Sequence, residues 1–442
     1  MCKDVIVIKN RPLNVYIFII LTVACPIIDM INGFFLASGT STPIGMVYRF
    51  GYFAFLVLMI IVEKLPKTYY TYLTIFFILG NLLMFCLQGI FLKNSPAWIF
   101  ADFSVYIKYF LWVLIPYYVY QRREIFKTIN FENIFLALGS LLTAELLIPY
   151  VLGVGRQTYS TAGAGYKGFF FEQNSISFAL IITLTITTHV LIKELQKRWG
   201  KKVFFLLLLF AGNVVSLFLL ATKTVVVYAV LTVAYLLIRV VFKKHYHSNV
   251  QRAFVWLTAM FAVIWIFFRG IQSATELVAG SVTRMQYFYR VYDGDLLRLL
   301  FSSRNVFLEG AAKLFFNDPN FAFTLFGGQG FQYRFEKFGR LGVVEMDFFD
   351  LFFGMGLIGT ALFIFMMLYF IFRAFKRKMK SIYTFALVIT LVYIFFVGHV
   401  LFSAMSATFL GLICAGIILA SSKKDDDGAK LELDQPENNT ST

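Results

Sequence analysis

Twelve runs of apolar residues leave this 442-residue chain little choice of fold. They fall near residues 13–31, 45–62, 70–91, 99–120, 132–152, 172–192, 203–220, 224–241, 253–268, 347–372, 382–401 and 403–420. A helix needs about 20 apolar residues to cross the hydrocarbon layer, and each run reaches or nearly reaches that length. Only 14% of the residues are charged, where a soluble domain carries roughly 25%. The chain therefore reads as an all-α integral membrane protein with about 12 transmembrane helices. Residues 1–268 hold nine of them, 269–346 form a large external loop with short helices, 347–420 hold the last three, and 421–442 are a polar, disordered cytoplasmic tail.

The formal charge of +16 would point to nucleic acid in a soluble protein. Here the excess sits in short connections between spans, where lysine and arginine set orientation, so a nucleic-acid partner is excluded. Lys3, Lys9 and Arg11 precede the first span. Lys64 and Lys67, then Arg122, Arg123 and Lys127, then Lys193, Lys197, Arg198, Lys201 and Lys202 follow alternate spans. Arg239, Lys243, Lys244 and Arg252, and finally Arg373, Lys376, Arg377, Lys378 and Lys380, continue the series. All of these clusters fall on one side, which places both termini in the cytoplasm. The first span has no small-residue cleavage site after it and reads as a retained anchor. Cys2 is terminal and Cys25, Cys86 and Cys414 lie within apolar runs, so no disulfide framework is implied. No histidine–cysteine cluster suggests zinc, and no cofactor is called for. There is no internal repeat of the kind that marks many transporters.

The external loop is the long stretch that water would tolerate, and it carries Arg269, Arg284, Arg290, Arg298, Arg304, Arg334 and Arg340. Guanidinium groups in that number point to an anionic, phosphate-bearing ligand. Ser302-Ser303-Arg304 reads as a helix start with serine as N-cap, and Asn317-Asp318-Pro319 as its end. Arg304 then lies in a first turn where free N–H groups already favour an anion. Gly327-Gly328-Gln329-Gly330 reads as a flexible turn. The loop closes on Glu345-Met346-Asp347-Phe348-Phe349-Asp350, whose carboxylates could supply a general base or bind an acceptor sugar.

Ionisable residues within spans are costly and usually face a cavity. Asp29, Arg49, Asp102, Glu145 and His399 all lie towards the external ends of their spans, with Lys223 at an external turn and Lys108 at mid-depth. A shorter external loop supplies Arg156, Lys167, Glu172 and Asn174 among the glycines 155, 163, 165 and 168. This asymmetry argues for a cavity open to the outer leaflet.

The chain resembles the O-antigen polymerase and O-antigen ligase superfamily, membrane glycosyltransferases of bacterial surface polysaccharides. The resemblance covers most of the chain and rests on the order of several elements. These are Pro26-Ile27-Ile28-Asp29, the Gly168-to-Asn174 segment, the Ala221-Thr222-Lys223 turn, Ser303-Arg304 in the large loop, Glu345-to-Gly359, and Gly398-His399-Val400. Ligases of that family typically carry His-Asn where this chain has Glu345-Met346, and arginine where it has Lys223, which points towards the polymerase branch. The resemblance implies a GT-C-like fold and a glycan donor carried on undecaprenyl diphosphate. It also implies the bacterial plasma membrane, membrane lipid, and a flippase and chain-length regulator of the same pathway as partners. On that expectation Arg156, Lys223, Arg304 and Arg290 bind the diphosphate, and Lys167, Glu172 and Asn174 bind substrate. Glu345, His399 and Asp347 are the catalytic candidates, with Glu345 preferred over His399 as base. A ligase and a polysaccharide flippase are the rival readings; the long arginine loop speaks against the flippase.

Overall fold

A computed structural model describes residues 12–159, 164–197, 200–242, 289–296, 298, 301–375 and 381–433. The predicted ninth span at 253–268 and the loop arginines Arg269 and Arg284 lie outside the described residues.

The helices run in chain order as α1 Leu13–Ala37, α2 Ile44–Val62, α3 Tyr69–Phe91, α4 Pro96–Gln121, a short α5 Arg123–Lys127, and α6 Glu132–Val151. A hairpin follows, β1 Arg156–Tyr159 antiparallel to β2 Ala164–Gly168, and then α7 Gln173–Leu195, α8 Lys201–Leu220 and α9 Lys223–Phe242. The loop contributes α10 Arg304–Phe316, α11 Phe321–Gly327 and α12 Phe331–Phe338. The chain returns through α13 Asp347–Phe375, α14 Ile382–Phe396 and α15 Ala404–Leu433.

Among the described residues, nine helices are long and apolar enough to cross a membrane: α1–α4, α6–α8, α13, and Ala404–Ser421 within α15. All nine match sequence-predicted spans. The predicted eighth span is the twenty-residue α9, and the predicted eleventh is α14, which at 15 residues is too short to cross unaided. α15 runs on to Leu433, beyond the exit predicted near residue 420, so the first part of the predicted disordered tail is helical here.

Local chemistry sets the helix starts. Thr68 and Ser95 accept from the backbone N–H of Thr71 and Trp98, and Pro96 fills the first turn of α4, where its missing N–H costs nothing. Along α3, Tyr72, Phe76, Leu79 and Leu83 form an exposed stripe at helical spacing, while Phe77, Asn81, Met84 and Gln88 face inward. That stripe is the surface a lipid environment would cover. By contrast most of α7 and nearly all of the apolar part of α15 are buried, which marks them as the centre of the bundle.

Two breaks in regular helix fix the upper part of the molecule. α13 leaves helical geometry at Gly356, where φ is +67°. The carbonyls freed just before the break are taken up by the loop: Gln329 N–H donates to Phe353 O and Gly330 N–H to Gly354 O, each at 2.9 Å, and Gln88 Nε2 donates to Gly354 O at 2.7 Å. A Cβ on Gly328 would come within 2.3 Å of Gly354 O. The 327–330 turn is thus seated on the break, not flexible, and its N–H groups are spent.

The second break lies between α14 and α15. Asp347, 3% exposed, accepts from the backbone N–H of His399, Val400 and Leu401 at 2.8, 2.6 and 2.8 Å. Two further carboxylates act alike. Asp102 on α4 accepts from Phe331 and Gln332 at the start of α12, at 3.2 and 2.7 Å. Asp350 accepts from Val344 and Glu345 at 2.9 Å and pairs with the buried Arg334 at 3.4 Å. Asp350→Ala leaves a guanidinium and two N–H groups buried without their acceptor, a loss on the order of 3–5 kcal/mol for a broken buried pair. A clearly lowered unfolding temperature in detergent is expected; an unchanged one would mean that this carboxylate braces nothing.

Candidate active site

The hairpin, the α8–α9 turn, the α10–α12 loop and residues 397–403 share one end of the bundle. The opposite end carries the described members of the basic clusters, tied by Arg122–Glu63 at 3.1 Å and by Glu194 to Lys197 and Lys202 at 3.1 and 3.0 Å.

The centre of the first end is the start of α7 against the 397–403 segment. Asn174 Nδ2 donates to Val397 O at 3.5 Å, and Ser175 Oγ donates to the Glu172 carboxylate at 2.7 Å. Glu172 Oε2 lies 4.0 Å from His399 Nδ1, both side chains about one-third exposed. Burial alone would push the Glu172 carboxyl up. The charges of His399 and Lys108 and the hydroxyls of Ser175 and Ser403 outweigh it, and its pKa falls below the ordinary value. Glu172 is therefore an anion beside an imidazole.

His399 and Glu345 both adopt left-handed backbone, with φ of +63° and +64°. Such strain in non-glycine residues persists only where the surroundings enforce it. They do so here: a Cβ on Gly398 would lie 2.4 Å from Glu345 O, so the two segments touch backbone to backbone and only glycine fits.

Glu345 is occupied. Arg340 Nη2 donates to one carboxylate oxygen at 2.8 Å, and Arg304 Nη2 stands 3.5 Å from the other. Arg304 Nη1 also donates to Phe396 O at the end of α14, at 3.1 Å. The predicted base is thus a counter-ion bridging two guanidiniums, and Arg304 braces the segment that carries His399. Arg340 had not been singled out from the sequence as a partner of Glu345. Asp347, expected among the catalytic groups, is a buried carboxylate whose two oxygens accept three backbone N–H groups. Ser303 does not cap α10 either: its φ is +66° and its hydroxyl donates to Tyr292 OH at 2.8 Å.

The hairpin forms a second group. Arg156 pairs with Gly168 across the strands, and Lys167 Nζ donates to Phe171 O at 3.1 Å. Among the described residues Arg156 has no side-chain hydrogen bond or ion pair. Burial first, and then the neighbouring Arg156 charge, holds Lys167 below the ordinary lysine value. A Cβ on Gly165 would lie 2.9 Å from Leu220 O, so β2 abuts the end of α8, three residues before Lys223. Ala221 turns the chain there with φ of +55°. Arg290 is exposed in a turn of helix at 289–291, and no described contact joins it to either group.

Deeper in the bundle Arg49 Nη2 and Asp29 Oδ1 pair at 2.8 Å. Lys108 on α4 lies within electrostatic reach of Glu172, Arg49 and Asp29. Among the described residues no three His, Cys, Asp or Glu side chains converge as metal ligands would.

No protein-family model matches the chain, and no curated protein matches it either.

Two cations without a described acidic partner suit the hairpin to an anion, and its lysine would make such a site pH-sensitive. Raising the pH removes the Lys167 proton earlier than from an ordinary lysine, so affinity for inorganic diphosphate should fall on the alkaline side. Lys167→Arg, whose guanidinium stays protonated throughout the alkaline range, should hold affinity through the same range. An identical alkaline fall in both proteins would remove Lys167 from the anion site.

Proposed function

We propose that this protein is a polysaccharide repeat-unit polymerase of the bacterial plasma membrane. It transfers a growing glycan from undecaprenyl diphosphate to a hydroxyl of the next lipid-linked repeat. The observation that carries this reading is the meeting of two chemistries at one end of a membrane bundle. An imidazole backed by a carboxylate stands at the start of α7, and two cations without a described acidic partner lie on the hairpin leading into it.

In the proposed reaction the acceptor hydroxyl oxygen attacks the anomeric carbon of the donor. The carbon–oxygen bond to the diphosphate breaks, and the electron pair leaves on the lipid carrier. Arg156, Lys167 and Lys223 hold the diphosphate, and their positive charge offsets what builds up on the leaving oxygen. His399 takes the acceptor proton as general base, and the Glu172 carboxylate stabilises the imidazolium that results. Asn174 and Asp347 fix the segment on which His399 stands. Arg304 and Glu345 brace it from the loop side. The base assignment moves from Glu345 to His399 because both Glu345 oxygens are already claimed by guanidiniums. The external face is the hairpin end, opposite the basic clusters.

Glycan analysis of a deletion strain tests the reaction class. Single lipid-linked repeats without long chains are the expected result. Long chains stranded on the carrier would make the protein a ligase, and repeats trapped inside the cell would make it a flippase. For the base, His399→Asn should abolish chain growth, with loss on the order of 10²–10⁴ as for removal of a general base. Glu345→Gln should reduce growth only in part. An active His399→Asn protein beside an inactive Glu345→Gln one, both correctly inserted, would reverse the assignment.

Sidedness has its own test. Lys313 and Glu124 have side chains 71% and 72% exposed at opposite ends. Lys313→Cys should react with an impermeant thiol reagent on intact cells and Glu124→Cys should not. The opposite pattern would turn the site inward and end the outer-leaflet reading.

A further inference from the structure

The cluster around Lys108 differs in kind from the hairpin. Asp29 and Glu172 supply two negative charges, Arg49 and Lys108 two positive ones, and Lys108 lies close enough to feel the other three. An anion entering that group would gain little, because two negative charges lie within electrostatic reach of the two positive ones. The hairpin, with Arg156 and Lys167 and no described acid, is where an anion gains.

Yet the balanced cluster has unused hydrogen-bonding capacity. Among the described residues the Lys108 ammonium makes no hydrogen bond and no ion pair within 4.0 Å, although it offers three donors. Arg49 Nε is buried without a partner. Glu145 on α6, 7% exposed and within electrostatic reach of Asp29, has neither carboxyl oxygen partnered. Buried polar groups are otherwise paired in most folded proteins, since each orphan costs free energy. Here spare donors and spare acceptors lie together, next to the Glu172–His399 pair and several turns inside the bundle. Lys108 is twelve residues from the start of α4, about 18 Å along the helix.

A ligand that satisfies both kinds of orphan without adding charge is a neutral polyol, whose hydroxyls each donate and accept. We infer that Asp29, Arg49, Lys108 and Glu145 bind the neutral sugar of the acceptor and leave the diphosphate to the hairpin. The inference rests on the glycosyl-transfer reading and divides its substrate between two sites. The acceptor hydroxyl then reaches His399 from the membrane-embedded side, and the donor phosphate arrives from the hairpin side.

The test compares two ligands on purified full-length protein in lipid nanodiscs. One is undecaprenyl diphosphate without sugar; the other is the lipid-linked oligosaccharide that accumulates in cells deleted for the protein. Wild type should bind the sugar-bearing lipid about tenfold or more tightly, the worth of one or two hydrogen bonds to charged groups. Lys108→Met should erase that preference and leave binding of the bare lipid unchanged. Glu145→Gln, nearly isosteric, should reduce it and serves if Lys108→Met does not fold. Equal weakening of both ligands by Lys108→Met would assign the lysine to the diphosphate and overturn the inference. Equal wild-type affinity for the two would also overturn it, with the diphosphate site intact. If wild type binds neither lipid, the polymerase reading falls with it.

Discussion

Backbone that leaves helical geometry deep inside a membrane protein must find its hydrogen bonds within the chain, because hydrocarbon offers none. The upper half of this molecule is organised around that demand. Asp347 takes the three N–H groups freed between α14 and α15, and Asp102 takes those at the start of α12. Asp350 takes two more beside Glu345, and the carbonyls freed at Gly356 are met by the 327–330 turn and Gln88. Each bond joins the α10–α12 loop or a broken helix to the bundle. Together they hold His399 and Glu345 in left-handed conformations that neither residue would adopt alone.

This arrangement divides the charged residues by task. Carboxylates whose oxygens face backbone N–H groups are fasteners. The arginines of the loop that lie among the described residues are largely internal as well: Arg334 is buried on Asp350, Arg340 bridges Glu345 with its guanidinium over Phe307, and Arg298 lies over Tyr292. The residues proposed for chemistry are a smaller set, namely Glu172 with His399, the hairpin cations, and the cluster around Lys108. The described part of the loop that looked reactive by composition is thus largely committed to internal contacts that join it to the bundle.

The spans were legible because an apolar run about 20 residues long has few other fates. Their pairing into two ends followed from the placement of lysine and arginine. The site was legible as a neighbourhood: Glu172, Asn174, Asp347 and His399 were all singled out, and the fold brings them together. Their roles were not legible. Asp347 and His399 lie 52 positions apart in the chain, and nothing local reveals that one accepts the backbone N–H of the other. Glu345 read as a free carboxylate at a membrane surface because Arg304 and Arg340 reach it only after the loop folds back. The Gly327–Gly330 turn read as flexible because its partner, the break in α13, is a tertiary feature. Positive φ at Ser303, Glu345 and His399 has no signal in the residue types themselves.

The central claim is that this single chain joins lipid-linked repeats using only the energy of the sugar–diphosphate bond. Reconstitution tests it most directly. Purified protein in liposomes is supplied with lipid-linked oligosaccharide and no nucleotide sugar, and both glycan length and free undecaprenyl diphosphate are followed over time. The account predicts a ladder of longer chains, with one lipid diphosphate released for each repeat added. It also predicts that His399→Asn abolishes both together. Release of lipid diphosphate without chain growth, or no release from a correctly folded protein, would contradict it.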